Sequence, residues 1–407
     1  MTAASEVWRR SGRAPKSPIL TMQFALLRPT QWRWHPARAY RTRFESLGLA
    51  MFVLYFCVYV ASNASTTFEA SDSPAKHLIM VAAAVLSIVM RPVRSLRSAL
   101  LFAPLAIIYL LGDLPGYALM AIAFSAALPI LGAGMRSIFA QRRIQIIGFL
   151  ALVALMPTLV SWATLGVDSL VTTYYGRPRL LLGYWHPKEA AASLAVPFLL
   201  YLIMQRRKLP GIALALLPAF LMLVGSRNVA LALYLAIGVC FYPRLTRYAI
   251  VILLLGTVAF VLAASDSYDV FDELLSLRFS VWSEALGDLM QLNSTDLIGG
   301  DRLSIDSYYV EILLSAGITG LLLFAGWATF FYVRCIRPFT DFRWRVAMFA
   351  AILFFAAFDS GIVSTGNVFH VVAWTLVTMP LATGTKGWRR LRSPGRGQHD
   401  LAVAEPT

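Results

Sequence analysis

The sequence predicts an all-α polytopic membrane protein with about 12 transmembrane helices and one long outward loop between helices 9 and 10. Three observations carry this expectation. Hydrophobic residues make up 58% of the 407 and charged residues only 14%, a balance foreign to soluble domains. Apolar runs of about 18 residues recur along the chain, long enough to cross a bilayer. Basic residues cluster in every second loop, as alternating topology demands.

The arm 1–43 carries nine basic residues ahead of the first apolar run and reads as a retained cytoplasmic segment. The spans follow at 44–62, 77–90, 98–111, 116–131, 144–163, 189–204, 211–225, 228–241, 250–264, 308–333, 346–358 and 368–381. Arg91/Arg94/Arg97, Arg136/Arg142/Arg143, Arg206/Arg207/Lys208, Arg244/Arg247 and Arg334/Arg337/Arg343/Arg345 then share one side, the cytoplasmic one, with both termini. Residues 44–383 form the bundle, with outward loops at 164–188 and 265–307. The polar segment 384–407 reads as a disordered tail. The second outward loop is rich in acids. Its stretch 271–292 has apolar residues at helical spacing, which suits an amphipathic helix over the mouth of the bundle.

Net charge +15 would suggest a nucleic-acid partner in a soluble protein. Here it is loop charge, explained by the positive-inside rule and contact with anionic lipid, so no nucleic acid is expected. Cys57, Cys240 and Cys335 lie in or beside apolar runs without metal-ligand spacing. Neither a disulfide nor a metal is expected of them.

All but seven of the 36 Lys and Arg fall on the cytoplasmic side. The seven are Lys76, Arg177, Arg179, Lys188, Arg227, Arg278 and Arg302. Arg177 and Arg179 precede an aromatic-His186-Pro187 turn into the sixth span, where Pro187 suits a first helical turn. An interfacial loop with Tyr184 and Trp185 in the headgroup belt would explain the same segment. Arg227 sits in a very short loop at the membrane surface, where an unpaired charge is costly and a guanidinium can grip phosphate oxygens bidentately. Snorkelling to lipid headgroups is the simpler alternative. Arg278 lies among acids and could instead pair with Glu273 or Glu284. Gly299-Gly300-Asp301-Arg302 leads through Asp306 and Ser307 into span ten. Asp306 suits either an N-cap or a general base at the mouth of a cavity. Tyr309 and Glu311 follow inside the span, and Glu311 should face protein or water. Gly317 and Gly320 would allow close helix packing.

Arg-x6-His-Pro opening one span, Ser-Arg opening a later one, Arg-x3-Trp in a long outer loop, and a polar-Tyr segment running into ILLSAGITGLLLF occur here in that order. This combination, over roughly residues 177–325, resembles the bacterial O-antigen ligase and polysaccharide polymerase superfamily. The resemblance implies an inner-membrane enzyme with its active site facing the periplasm. It implies a donor glycan linked through pyrophosphate to undecaprenol and an acceptor hydroxyl. No metal, nucleotide sugar or other cofactor takes part. By family position, Arg227 and Arg278 stabilise the departing pyrophosphate, and Arg179 and His186 line the entrance. Arg302, Tyr309 and Glu311 complete the substrate-binding set.

Ligases tend to have His-Asn where this chain has Asp306-Ser307, often Glu where it has Ser315, and Asn where it has Lys188. Asp at position 306 looks more like the polymerase (Wzy-type) branch, with Asp306 activating the acceptor. Polymerases of this type usually work with a chain-length regulator. A ligase acting on lipid A core is the nearest alternative. A flippase or transporter of lipid-linked glycans would place charges near the bilayer midplane on discontinuous helices. An enzyme using polyprenyl-monophosphate sugars would carry an acidic pair in the first outer loop, where Glu69 and Asp72 stand at an unusual spacing.

Overall fold

A computed structural model of the chain describes residues 38–64, 74–141, 143–174, 177–205, 219–221, 224, 226–241, 307–337, 342–356, 362–363 and 366–383. For 38–42, 172–174, 177–179, 205, 227, 241, 342–343 and 380–383 it describes the backbone alone. The chain divides into two compact units, Met1–Thr42 and Arg43–Thr407, and the sites below lie in the second.

Ten α-helices occur among the described residues. They are α1 (Arg38–Asn63), α2 (Ala75–Met90), α3 (Pro92–Leu111), α4 (Pro115–Ala140), α5 (Ile144–Leu165), α6 (Pro187–Gln205), α7 (Arg227–Phe241), α8 (Tyr308–Phe331), α9 (Phe342–Ala356) and α10 (Val368–Thr383). A π-turn, Tyr332–Ile336, prolongs α8. Among the described residues, six helices are long and apolar enough to cross a membrane, and α2 and segments of α7, α9 and α10 are shorter apolar helices. A helical membrane protein therefore stands. The expected seventh and ninth spans lie largely outside the described residues, as does the loop 265–307.

The helix α4 is the hub. It packs against α2, α3 and α10, and its run from Phe124 to Ile138 is buried on every face. Two glycines let α1 cross it at backbone contact. A Cβ on Gly48 would run into the carbonyl of Ile130, and one on Gly134 into the backbone of Gly48. Within a membrane such contact is made by small residues, because apolar side chains gain nothing by leaving lipid for protein. On the other side, an aromatic cluster joins four helices. Trp374 of α10 lies edge-on to Phe102 of α3 and Phe331 of α8, with centroids 5.0 and 5.5 Å apart, and 6.0 Å from Phe349 of α9. The indoles of Trp374 and Trp327 donate to the carbonyls of Ile362 and Leu101, both at 2.7 Å, so neither buried N–H is stranded.

Two spans differ from their expected limits. Helix α3 begins at Pro92 rather than near residue 98, and α4 continues to Ala140 rather than ending near 131. Arg94, Arg97 and Arg136 are therefore helical, and Arg136 is buried. A span read from apolar residues stops at the first charge, whereas the helix continues and its long arginines extend along it. The joint between α2 and α3 is reduced to Arg91. Its N–H donates to the carbonyl of Ser87 at 2.7 Å, and the hydroxyls of Ser87 and Ser95 meet at 2.8 Å.

The all-α expectation also needs one addition. Helix α5 ends at Gly166, whose φ of 82° is left-handed. After a 3-10 turn, Val167–Leu170, an antiparallel hairpin pairs β1 (Val171–Tyr174) with β2 (Arg177–Leu180). The β-branched run Val171-Thr172-Thr173 suits a strand better than a helix.

Candidate functional site

The start of α6 is built by local chemistry. Pro187 fixes the first helical φ, and its ring disfavours helix for the preceding His186. The Nδ1 of His186 accepts from the Lys188 N–H at 3.2 Å, capping the helix with its ring. An Nδ1 that accepts carries no proton, so the neutral imidazole bears its hydrogen on Nε2. The approach is a tight turn, closed by the Tyr184 N–H donating to the Leu181 carbonyl at 3.0 Å. Its central residues, Leu182 and Gly183, are both left-handed, at φ 53° and 77°. A Cβ on Gly183 would strike the carbonyl of Pro157.

This turn aims Tyr184 into the core, where its hydroxyl donates to the Ala154 carbonyl of α5 at 2.8 Å. Burial pushes the phenol well above its ordinary pKa, so it stays a donor. The Trp185 N–H donates to the Asn63 carbonyl at 3.0 Å, tying the loop to the end of α1. Glu189, in the first turn of α6, accepts the hydroxyl of the fully buried Tyr59 of α1. An acid there also complements the helix dipole. Lys188 turns the other way, its Nζ 5.7 Å from the ring centroid of Phe355 in α9. Phe355 in turn meets the buried ring of His370, in the first turn of α10, edge-on at 4.6 Å.

The start of α8 is capped through its backbone. Ser307 is the N-cap, and its carbonyl accepts from the Glu311 N–H at 2.9 Å, but its side chain makes no capping bond. Tyr308 is buried with its ring centroid 5.8 Å from Tyr109 of α3 and 5.7 Å from Phe324. The hydroxyls of Tyr109 and Tyr308 come close to each other without forming a well-shaped hydrogen bond. Glu311 is half-buried and near enough to act electrostatically on both phenols. Tyr309 donates its hydroxyl to the Leu353 carbonyl of α9 at 2.6 Å. Ser315 returns its hydroxyl to the Glu311 carbonyl at 2.6 Å. One residue past Ala316 the helix breaks, at Gly317 with φ 63° and ψ −167°. Only glycine adopts that conformation freely. Gly317 thus interrupts the helix, a role distinct from the close packing expected of it.

The two carboxylates stand at one end of the bundle. Contacts run from Tyr109 to Tyr308, from Tyr309 to Leu353, then from Phe355 to Lys188, and from Glu189 to Tyr59. The opposite end carries Arg91 over the Phe44 ring, 5.1 Å from its centroid, and the Arg345 guanidinium donating to the Cys335 carbonyl at 2.7 Å.

Of the residues expected at the site, His186, Tyr309 and Glu311 are thereby placed at one end. Arg179 is fixed by register opposite Thr172, and Arg227 is the first residue of α7. Arg278, Arg302 and Asp306 lie outside the described residues. Sequence reasoning missed Glu189, although an acid opening an apolar span was signal enough. It also missed Tyr59, which carries no such signal, and it set Tyr184 in the headgroup belt, whereas Tyr184 is fully buried.

Among the described residues, no three His, Cys, Asp or Glu side chains converge as a metal site. No family model matches the sequence, and no curated protein and no solved structure matches it. The arrangement offers carboxylates, phenols and an imidazole at helix starts, groups that can accept a proton and hold hydroxyl-rich or anionic ligands.

Proposed function

We propose that this chain is a polysaccharide polymerase of about twelve spans in the bacterial inner membrane. It elongates a glycan carried on undecaprenyl pyrophosphate at the periplasmic face. One observation carries the reading. The three described segments of the motif order each open a helix at the motif itself: Pro187 after His186, Arg227 after Ser226, and Tyr308 after Ser307. Helix starts bring backbone N–H groups and a positive dipole end to a phosphate-bearing substrate.

In the proposed reaction the acceptor hydroxyl of one lipid-linked unit attacks the anomeric carbon of another. Its proton passes to Asp306. The bond from the anomeric carbon to the pyrophosphate oxygen breaks, and polyprenyl pyrophosphate departs with the electron pair. Arg227 and Arg278 stabilise the charge gathering on that leaving group. Arg179, His186, Arg302 and Glu311 hold the substrates. The Tyr309 hydroxyl donates its hydrogen bond to the Leu353 carbonyl, so its part in that set is as ring face or acceptor. Partners in this reading are the lipid-linked oligosaccharide, membrane lipids and a chain-length regulator.

A flippase of the same glycan is the second reading, favoured by the break in α8 at Gly317. Against it, Glu311 lies in the opening turns of that helix rather than at mid-span. Purified protein supplied with lipid-linked repeat units should yield a ladder of longer glycans. Capping of lipid A core would favour the ligase. Movement of intact lipid-linked glycan across liposomes without transfer would favour the flippase.

A further inference from the structure

The corner opposite the carboxylates has a chemistry that glycan transfer does not use. The Arg91 guanidinium lies over the Phe44 ring, which brings the start of α1 beside the α2–α3 joint. Arg43 and Arg97 are exposed there, and Arg94 is half-buried in the first turn of α3. The Ser87–Ser95 hydroxyl bond and the Arg91–Ser87 backbone bond hold the joint tight, so the arginines are presented by a fixed frame. From it runs an apolar strip that nothing in the described chain covers. Val85 and Val89 belong to α2, and Val93, Leu96 and Leu100 to α3. They recur at helical spacing, and Val89 is 75% exposed.

We propose that this corner is a binding site for an anionic phospholipid. The phosphate sits against Arg43, Arg94 and Arg97, and the acyl chains lie along the α2–α3 strip. Charge selects the headgroup, because each arginine near an anionic headgroup strengthens binding by about fivefold. The apolar strip selects a lipid over a soluble phosphate, which would leave it uncovered. The proposal needs only that the bundle sits in a membrane and stands apart from the glycan reaction.

The test uses the full chain in neutral detergent, titrated with phosphatidylglycerol or phosphatidylcholine. Bound lipid is counted by native mass spectrometry, and the unfolding temperature is followed in parallel. Phosphatidylglycerol should be retained and should raise the unfolding temperature, whereas phosphatidylcholine should do neither. Replacing Arg43, Arg94 and Arg97 by Gln together should weaken phosphatidylglycerol on the order of 10²-fold. If that variant does not fold, Arg97→Gln alone should weaken it about fivefold. Equal retention of the two lipids, unchanged affinity in the variants, or equal protection by glycerol phosphate without acyl chains would overturn the proposal.

Discussion

The starts of α6 and α8 each set a carboxylate beside buried tyrosines, yet the two are held differently. Glu189 sits in a clasp: the His186 ring caps its helix, Asn63 and Tyr59 of α1 bind its loop and its side chain, and Tyr184 anchors in α5. Glu311 follows an N-cap that uses only its backbone, beside two phenols without well-shaped hydrogen bonds, in a helix broken at Gly317. The first region therefore holds His186 in a fixed frame. The second is held, among the described residues, by a backbone cap and by Tyr309 on the Leu353 carbonyl, and it adjoins Asp306, to which the proposal assigns acceptor activation. Substitutions that separate turnover from stability test this contrast.

The largest effect belongs to the arginines. Arg278→Ala, in the sequence ahead of α8, and Arg227→Ala should each cut glycan elongation about 10²-fold or more while leaving the unfolding midpoint in place. Arg→Lys at either position should recover only part, since the charge stays and the bidentate fork is lost. A matching fall in unfolding temperature would place these arginines in the scaffold and erase the contrast.

Gly183→Ala comes next and should act on stability. Its Cβ meets the Pro157 carbonyl, and its φ of 77° is left-handed, so a cost of about 2–4 kcal/mol is expected in denaturant unfolding. Gly317→Ala imposes a similar backbone penalty of about 1–3 kcal/mol, but in the helix that opens beside Asp306. There it should lower elongation more than a comparably destabilising change near α6, and parallel losses would argue against a special role for the break. Tyr184→Phe is the mildest. Losing its bond to Ala154 should cost about 1 kcal/mol and leave elongation nearly unchanged once the protein is folded.

The sequence made the helix starts legible because their chemistry is local. Pro187 after His186 and Asp306-Ser307 before Tyr308 announce a first turn within a few residues, and α6 and α8 begin there, with the N-cap of α8 at Ser307 rather than at Asp306. The ends of α3 and α4 were not legible, because Arg94, Arg97 and Arg136 look like loop charge until their helices are seen to continue through them. The hairpin at 171–180 had a strand-like composition but lay inside a segment read as a loop between spans. The Tyr59–Glu189 pair and the Gly48–Gly134 crossing join residues far apart in the chain, and a single sequence carries no signal that pairs them.

The central claim is that this chain joins lipid-linked repeat units and that acceptor activation occurs at the entrance to α8. The most direct measurement follows elongation of a lipid-linked repeat unit by purified wild-type protein beside Asp306→Asn. The account predicts a ladder of products from the wild type. It predicts elongation slower by about 10²-fold or more in Asp306→Asn, with donor binding and folding retained. Undiminished elongation by Asp306→Asn would contradict the acceptor role, and intact lipid-linked glycan crossing the bilayer with no ladder would contradict the polymerase.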